Sequence, residues 1–136
     1  MDYKIITNSK DEHIAKLREL ISDAQARDIS LKGSTLWNDG YLSTFYDDSR
    51  IDVDSVVANC EAHYAKQVQH EADIAEGVRA GRLPNRKRLS HVPNEYELWV
   101  TEYPKRTILE VWVHSPYSRG VDQDIADSYK KYPNRD

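Results

Sequence analysis

The sequence predicts an α+β fold: an antiparallel sheet, two longer helices packed on it and a short carboxy-terminal helix, in the approximate order β-α-β-β-α-β-β-α. Three observations carry that expectation. Residues 96–114 alternate apolar and polar on either side of Tyr103-Pro104-Lys105-Arg106, the pattern of a hairpin. Two long stretches, 9–27 and 52–81, repeat apolar residues at intervals of three and four. The length of 136 residues, with 39% hydrophobic and 31% charged, suits a single domain over 1–136, without an internal repeat or a second composition regime.

The elements follow in order. Tyr3, Ile5 and Ile6 mark a short strand over residues 2–7. Ser9 and Glu12 have the spacing of a capping box, and the helix they open places Ile14, Leu17, Leu20, Ile21 and Ala24 on one face. Between residues 29 and 46 the chain turns to Thr, Tyr, Trp and Phe, with Asp39-Gly40 as the centre of a first hairpin, because Gly40 can take a positive φ. A short helical turn holding Leu42 and Phe45 is the other reading of that stretch.

Asp52 or Asp54 caps the next helix, and Val53, Val57, Cys60, Tyr64, Val68, Ala72, Ala75 and Val78 trace one stripe down to Gly81, which can supply a left-handed stop. A loop over 84–93 leads to the second hairpin. If Glu102 pairs with Thr107, then Val100 meets Leu109, Leu98 meets Val111 and Tyr96 meets Val113, and one face is wholly apolar. The other face then carries Glu97, Trp99, Thr101, Ile108, Glu110, Trp112 and His114, which is more aromatic than a solvated surface requires. A last helix from Val121 to about Tyr129 can cover it with Val121, Ile125 and Tyr129; a partner protein is the alternative cover. Residues 132–136 are expected to be a loose tail.

The single Cys60 allows no internal disulfide, and the sequence shows neither a signal-peptide pattern nor a membrane-length apolar run, so a cytoplasmic protein without a membrane partner is expected. The net charge of -4 is polarised. Residues 1–54 hold 7 Lys and Arg against 11 Asp and Glu, whereas residues 79–106 hold 7 against 3.

Phosphate loops, dinucleotide fingerprints, zincin motifs and nucleophile elbows are all missing from the sequence. Cys60, His63 and His70 supply too few ligands for a structural zinc site, and Cys60 reads as a small core residue, so no metal or cofactor is expected. Asp47, Asp48, Asp52 and Asp54 lack the glycine and terminal glutamate of a calcium loop. Glu95 opposite His114, with His91, Tyr117 and Arg119 nearby, is a generic constellation on which no catalytic assignment rests.

Two functional readings remain. The leading one is a non-enzymatic protein-binding regulator, an inhibitor or accessory factor of the mobile-element or phage type. It docks through aromatic and acidic surfaces built from Trp99, Trp112, Ile108, Tyr41, Tyr46, Asp47 and Asp48. Nine Tyr and three Trp in a polar chain support it, since Tyr and Trp are common interface anchors. The alternative is a nucleic-acid-binding or metal-independent RNA-cleaving domain that uses Arg82, Arg86, Lys87, Arg88 and His91 against phosphates. A solvated loop explains the same basic residues. Homodimerisation through an exposed hairpin edge is a third outcome.

Overall fold

The computed structural model describes residues 2–36, 42–47, 52–85, 93–103, 108–117 and 123–132, and the side chains among them outside 32–36, 42–47 and 131–132. The α+β class stands. Nine elements appear in these segments: β1 (Asp2–Thr7), α1 (Lys10–Ala26), β2 (Ser30–Leu36), β3 (Leu42–Asp47), α2 (Val53–Arg79), β4 (Tyr96–Glu102), β5 (Ile108–His114), α3 (Gln123–Ser128) and β6 (Lys130–Tyr132).

Helix α1 starts where the capping pattern puts it, with Ser9 Oγ accepting the Glu12 N–H at 3.1 Å. It buries Leu17, Leu20, Ile21 and Ala24 as expected, together with His13, while Ile14 lies at the border of the core. Helix α2 is capped by Asp52, whose carboxylate accepts the Ser55 N–H at 3.3 Å. Val56, Val57, Cys60 and Tyr64 enter the core, and beyond them the expected stripe departs from the buried one. Val68 is 44% exposed, and Ala72 and Ala75 are exposed too, whereas Gln67 is fully buried. Repeated four-residue steps cause the drift: each overruns the ~3.6-residue turn by about 40°. The covered side therefore passes through Gln67, Glu71 and Ile74 instead and rejoins the expected stripe at half-buried Val78.

Helix α2 stops as its glycine predicts. Gly81 has φ +76°, its N–H bonds to the Val78 carbonyl at 3.1 Å, and the Arg82 N–H bonds to the Gly77 carbonyl at 2.8 Å. This is the Schellman arrangement.

The strands form one six-stranded sheet in the order β3-β2-β5-β4-β1-β6. It is mixed rather than wholly antiparallel, because β2 runs parallel to β5 and β1 parallel to β6. Both parallel relations follow from chain routing, that of β1 and β6 from the return of the chain after β5 and α3 to the far edge of the sheet. Helix α1 carries the chain from β1 over β4 and β5 to β2, and α2 carries it from β3 over β2 and β5 to β4. The two crossovers run in opposite strand directions and opposite ways along the sheet, so the same hand puts both helices on one face. There they cover Tyr3, Ile5, Leu31, Leu98, Val100, Leu109, Val111 and Val113.

The second hairpin is present with the faces expected of it, but its register is two residues away from the expected one. Val100 pairs with Val111, Leu98 with Val113 and Glu102 with Leu109. A two-residue slip preserves every side chain's face, so hydrophobic patterning cannot detect it. Glu97, not Glu95, therefore lies opposite His114. The hairpin also lies mid-sheet, with β1 on one flank and β2 on the other, so neither of its edges is open for self-pairing; the edge strands are β3 and β6.

The first hairpin is likewise formed, with Leu36 opposite Leu42 and a register irregularity at Gly33/Ser34; its Asp39-Gly40 turn lies outside the described residues. The last helix is present over Gln123–Ser128 among the described residues, and Val121 lies outside them. Ala126 and Tyr129 face the sheet while Ile125 is exposed, contrary to the four-residue stripe drawn through Val121, Ile125 and Tyr129. Tyr132 belongs to β6 rather than to a loose tail, which Lys-Lys-Tyr could not announce, since it has no apolar alternation.

Candidate functional site

The face of the sheet turned away from α1 and α2 carries the aromatic residues. Strand pairing arranges it in rows. One row holds Trp112, Trp99 and Lys4, and the next holds Glu110, Thr101 and Asp2. A third brings His114 and Glu97 together with Ile6. Strands lie about 4.8 Å apart, so neighbours within a row are in reach of one another.

Trp99 is the centre of this face and is fully buried, beneath Ala126 and Tyr129 and beside Trp112. Its ring lies 4.1 Å from that of His114, 5.2 Å from that of Tyr129 and 6.3 Å from that of Trp112, the two indoles stacked within 19°. Lys4 Nζ sits over it, 4.4 Å from the ring centroid, in cation–π geometry. Both indole N–H groups are satisfied along their own strands: Trp99 donates to Glu97 Oε1 at 2.8 Å and Trp112 to Glu110 Oε1 at 3.1 Å. Buried tryptophan needs such a partner, and a carboxylate two positions away on the same face supplies it.

Around this centre the cover thins. Trp112, Glu110 and Tyr129 are half-buried, Ile108 is 37% exposed and Tyr103 39% exposed. The Tyr129 hydroxyl is 3.1 Å from Thr101 Oγ1, between Glu110 and Asp2 in that row. Burial raises its pKa, the Asp2 and Glu110 carboxylates and the Tyr103 phenol add to the rise, and the Thr101 hydrogen bond opposes it.

Known protein families, curated proteins and solved structures were compared with the chain, and none matches. The face must therefore be read from its own chemistry.

Of the residues expected to bind a partner, Trp99, Trp112 and Ile108 share this face, but Trp99 is core and inaccessible behind α3. Tyr46 and Asp47 belong to β3 at the sheet edge, and the register sets Asp47 level with Lys32, and Lys32 level with Glu110. Tyr41 and Asp48 lie outside the described residues. Arg82 is exposed just beyond the end of α2, while Arg86, Lys87, Arg88 and His91 lie outside the described residues, as does Arg119 of the constellation around His114. His114 itself is fully buried.

Sequence reasoning overlooked a second cluster under the helices. His13 is fully buried; its Nε2 and the Tyr64 hydroxyl are hydrogen-bonded, and the Tyr96 ring lies 5.2 Å away. Burial depresses the imidazole pKa to about 3, so His13 is neutral in the fold. One turn along α2, Gln67 Oε1 accepts the hydroxyl of buried Ser115 at 3.1 Å, and Ser115 Oγ accepts the Tyr117 N–H at 3.2 Å. The available signal was spacing, because His13 stands four residues before Leu17 on the buried stripe. Cys60, one turn from Tyr64, is the core residue expected, its thiol pushed up to about 12 by burial, with the Glu61 charge adding to the rise. A thiolate nucleophile is disfavoured there.

Proposed function

We propose that the protein is a non-enzymatic protein-binding regulator that docks another protein on the sheet face opposite α1 and α2. The observation that carries this reading is the incomplete cover of that face. Helix α3 seals Trp99 but leaves Ile108 and Tyr103 more than a third exposed beside half-buried Trp112 and Tyr129. Large aromatic side chains around a rigid, already packed centre make an interface hot spot at low entropic cost. The buried Trp99 gives the site its rigidity, and the residues beside it make the contact.

Affinity capture with the full chain tests the proposal. A stoichiometric protein partner is expected whose capture is lost on Ile108→Ser and on Trp112→Leu while circular dichroism shows both variants folded at the temperature of the assay. Capture that survives both substitutions would sink it. An oligonucleotide bound in a steeply salt-dependent manner, and released by neutralising Arg82 and Arg86 to Arg88, would instead favour phosphate recognition by the basic loop.

A further inference from the structure

We infer that the partner segment seated on this face is basic and arginine-bearing, with one guanidinium stacked over the Trp112 indole and forked on the Glu110 carboxylate. The inference rests on the protein-binding reading above and names the chemistry of the partner.

The chain itself contains the precedent. One indole of the stacked pair, Trp99, already has a cation over its ring, supplied by Lys4 at 4.4 Å. The other, Trp112, lies nearly parallel to it, is half-buried and has a carboxylate fixed to its edge by the 3.1 Å bond from its N–H to Glu110 Oε1. A carboxylate offers about four lone-pair sites, so accepting one indole N–H leaves Glu110 capacity for a second donor.

The charge of the face points the same way. Across three strands the register aligns Glu110, Thr101 and Asp2, two carboxylates in one row, while the ammonium of the neighbouring row, Lys4, is engaged over Trp99. Helix α3 adds exposed Asp124 and Asp127. Asp2 and Glu110 both act on the Tyr129 phenol in the sense of a negative local potential. Complementary charge favours a basic partner and speeds its encounter. Arginine suits the site better than lysine, because a planar guanidinium can stack on an indole and bond a carboxylate together, whereas an ammonium is a hydrated point charge.

The test uses the full chain and two fluorescein-labelled probes of equal length, an oligoarginine and an oligolysine peptide, followed by anisotropy over a range of salt concentrations. The arginine peptide is expected to bind several-fold more tightly than the lysine peptide. Trp112→Leu should weaken it about tenfold. Glu110→Gln, which keeps an acceptor for the indole, should weaken it to a similar extent. Asp73→Asn removes the same charge from an exposed position of α2 and should leave binding within about twofold. If Trp112→Leu lowers the melting temperature, Glu110→Gln and Ile108→Ser carry the test.

Equal affinity for the two peptides, equal loss with Asp73→Asn and Glu110→Gln, or no binding at all overturns the inference. A partner captured through Ile108 by a protein whose oligoarginine binding is nil would leave the protein-binding reading standing and refute the basic partner alone.

Discussion

The Tyr64 hydroxyl on α2 is hydrogen-bonded to Nε2 of His13 on α1, a buried polar link between the two helices beside the apolar core. The imidazole is fully buried, and burial holds its pKa down to about 3 against an ordinary value of 6.5. Between those limits the unfolded chain carries a proton on His13 that the folded chain does not. Stability from this residue is therefore complete above about pH 6.5 and is lost as pH falls toward about 3, by up to ~1.4 kcal/mol per pH unit. Burial and Lys66 also lower the His63 pKa, which acts in the same direction. Urea unfolding between pH 7 and pH 4 should show a steeper decline in the parent than in His13→Gln, by about one proton's worth of slope; parallel curves would contradict the assignment.

The same pair makes a prediction at neutral pH. Tyr64→Phe removes the hydroxyl and leaves Nε2 without its partner, at a cost of about 1–3 kcal/mol. In a His13→Leu background that orphaned nitrogen no longer exists, so the same substitution should cost much less. A double-mutant cycle by chemical denaturation measures the difference, and additive effects would show that the hydrogen bond contributes nothing.

Trp99 and Trp112 stack, yet they should respond differently to truncation. Trp99→Ala empties the centre of the second face, strips the ring from beneath Lys4 and removes the indole donor from buried Glu97. A loss of about 3–5 kcal/mol is expected, near the whole stability of a small domain. Trp112→Leu keeps an apolar side chain at a half-exposed position, and about 1–2 kcal/mol is expected. Thermal melts of the two variants should be widely separated; similar melts would mean that α3 does not depend on Trp99 for its seat.

Much of the fold was legible because its local signals agree with one another. Ser9, Asp52 and Gly81 each mark a helix end by a specific backbone requirement, and the alternation through Leu98, Val100, Leu109, Val111 and Val113 identifies the core face of the hairpin. Its register was not legible, because a slip by two keeps every side chain on its face, and the observed pairing gives up an apolar match by setting Leu109 opposite Glu102. The parallel pairings are long-range consequences of crossover routing, and Lys130–Tyr132 contains no pattern that names β1 as its neighbour. At the candidate site, residue types were readable and accessibility was not. Trp99 and Trp112 look equivalent in the sequence, and only the position of Ala126 and Tyr129 makes one core and the other surface.

Two glycines at the end of α2 should behave in opposite ways, for reasons visible in their backbones. Gly81 holds φ +76° with nothing within 4 Å of an added Cβ, so Gly81→Ala meets no clash but forces an L-residue into the left-handed region. The expected cost is about 1–2 kcal/mol. Gly77 is inside the helix, where glycine is worse than alanine by about 1 kcal/mol. An added Cβ there would come within 2.5 Å of Leu83 Cδ1 and 2.8 Å of its Cγ, so this side chain, 46% exposed, must turn about its Cα–Cβ bond to make way. Gly77→Ala should therefore be near neutral, the helix gain offsetting the displaced leucine, and in a Leu83→Ala background it should stabilise outright. Chemical denaturation of the three variants checks the ordering. Destabilisation by Gly77→Ala that persists without Leu83 would mean that the close approach at this helix end involves backbone rather than the leucine side chain.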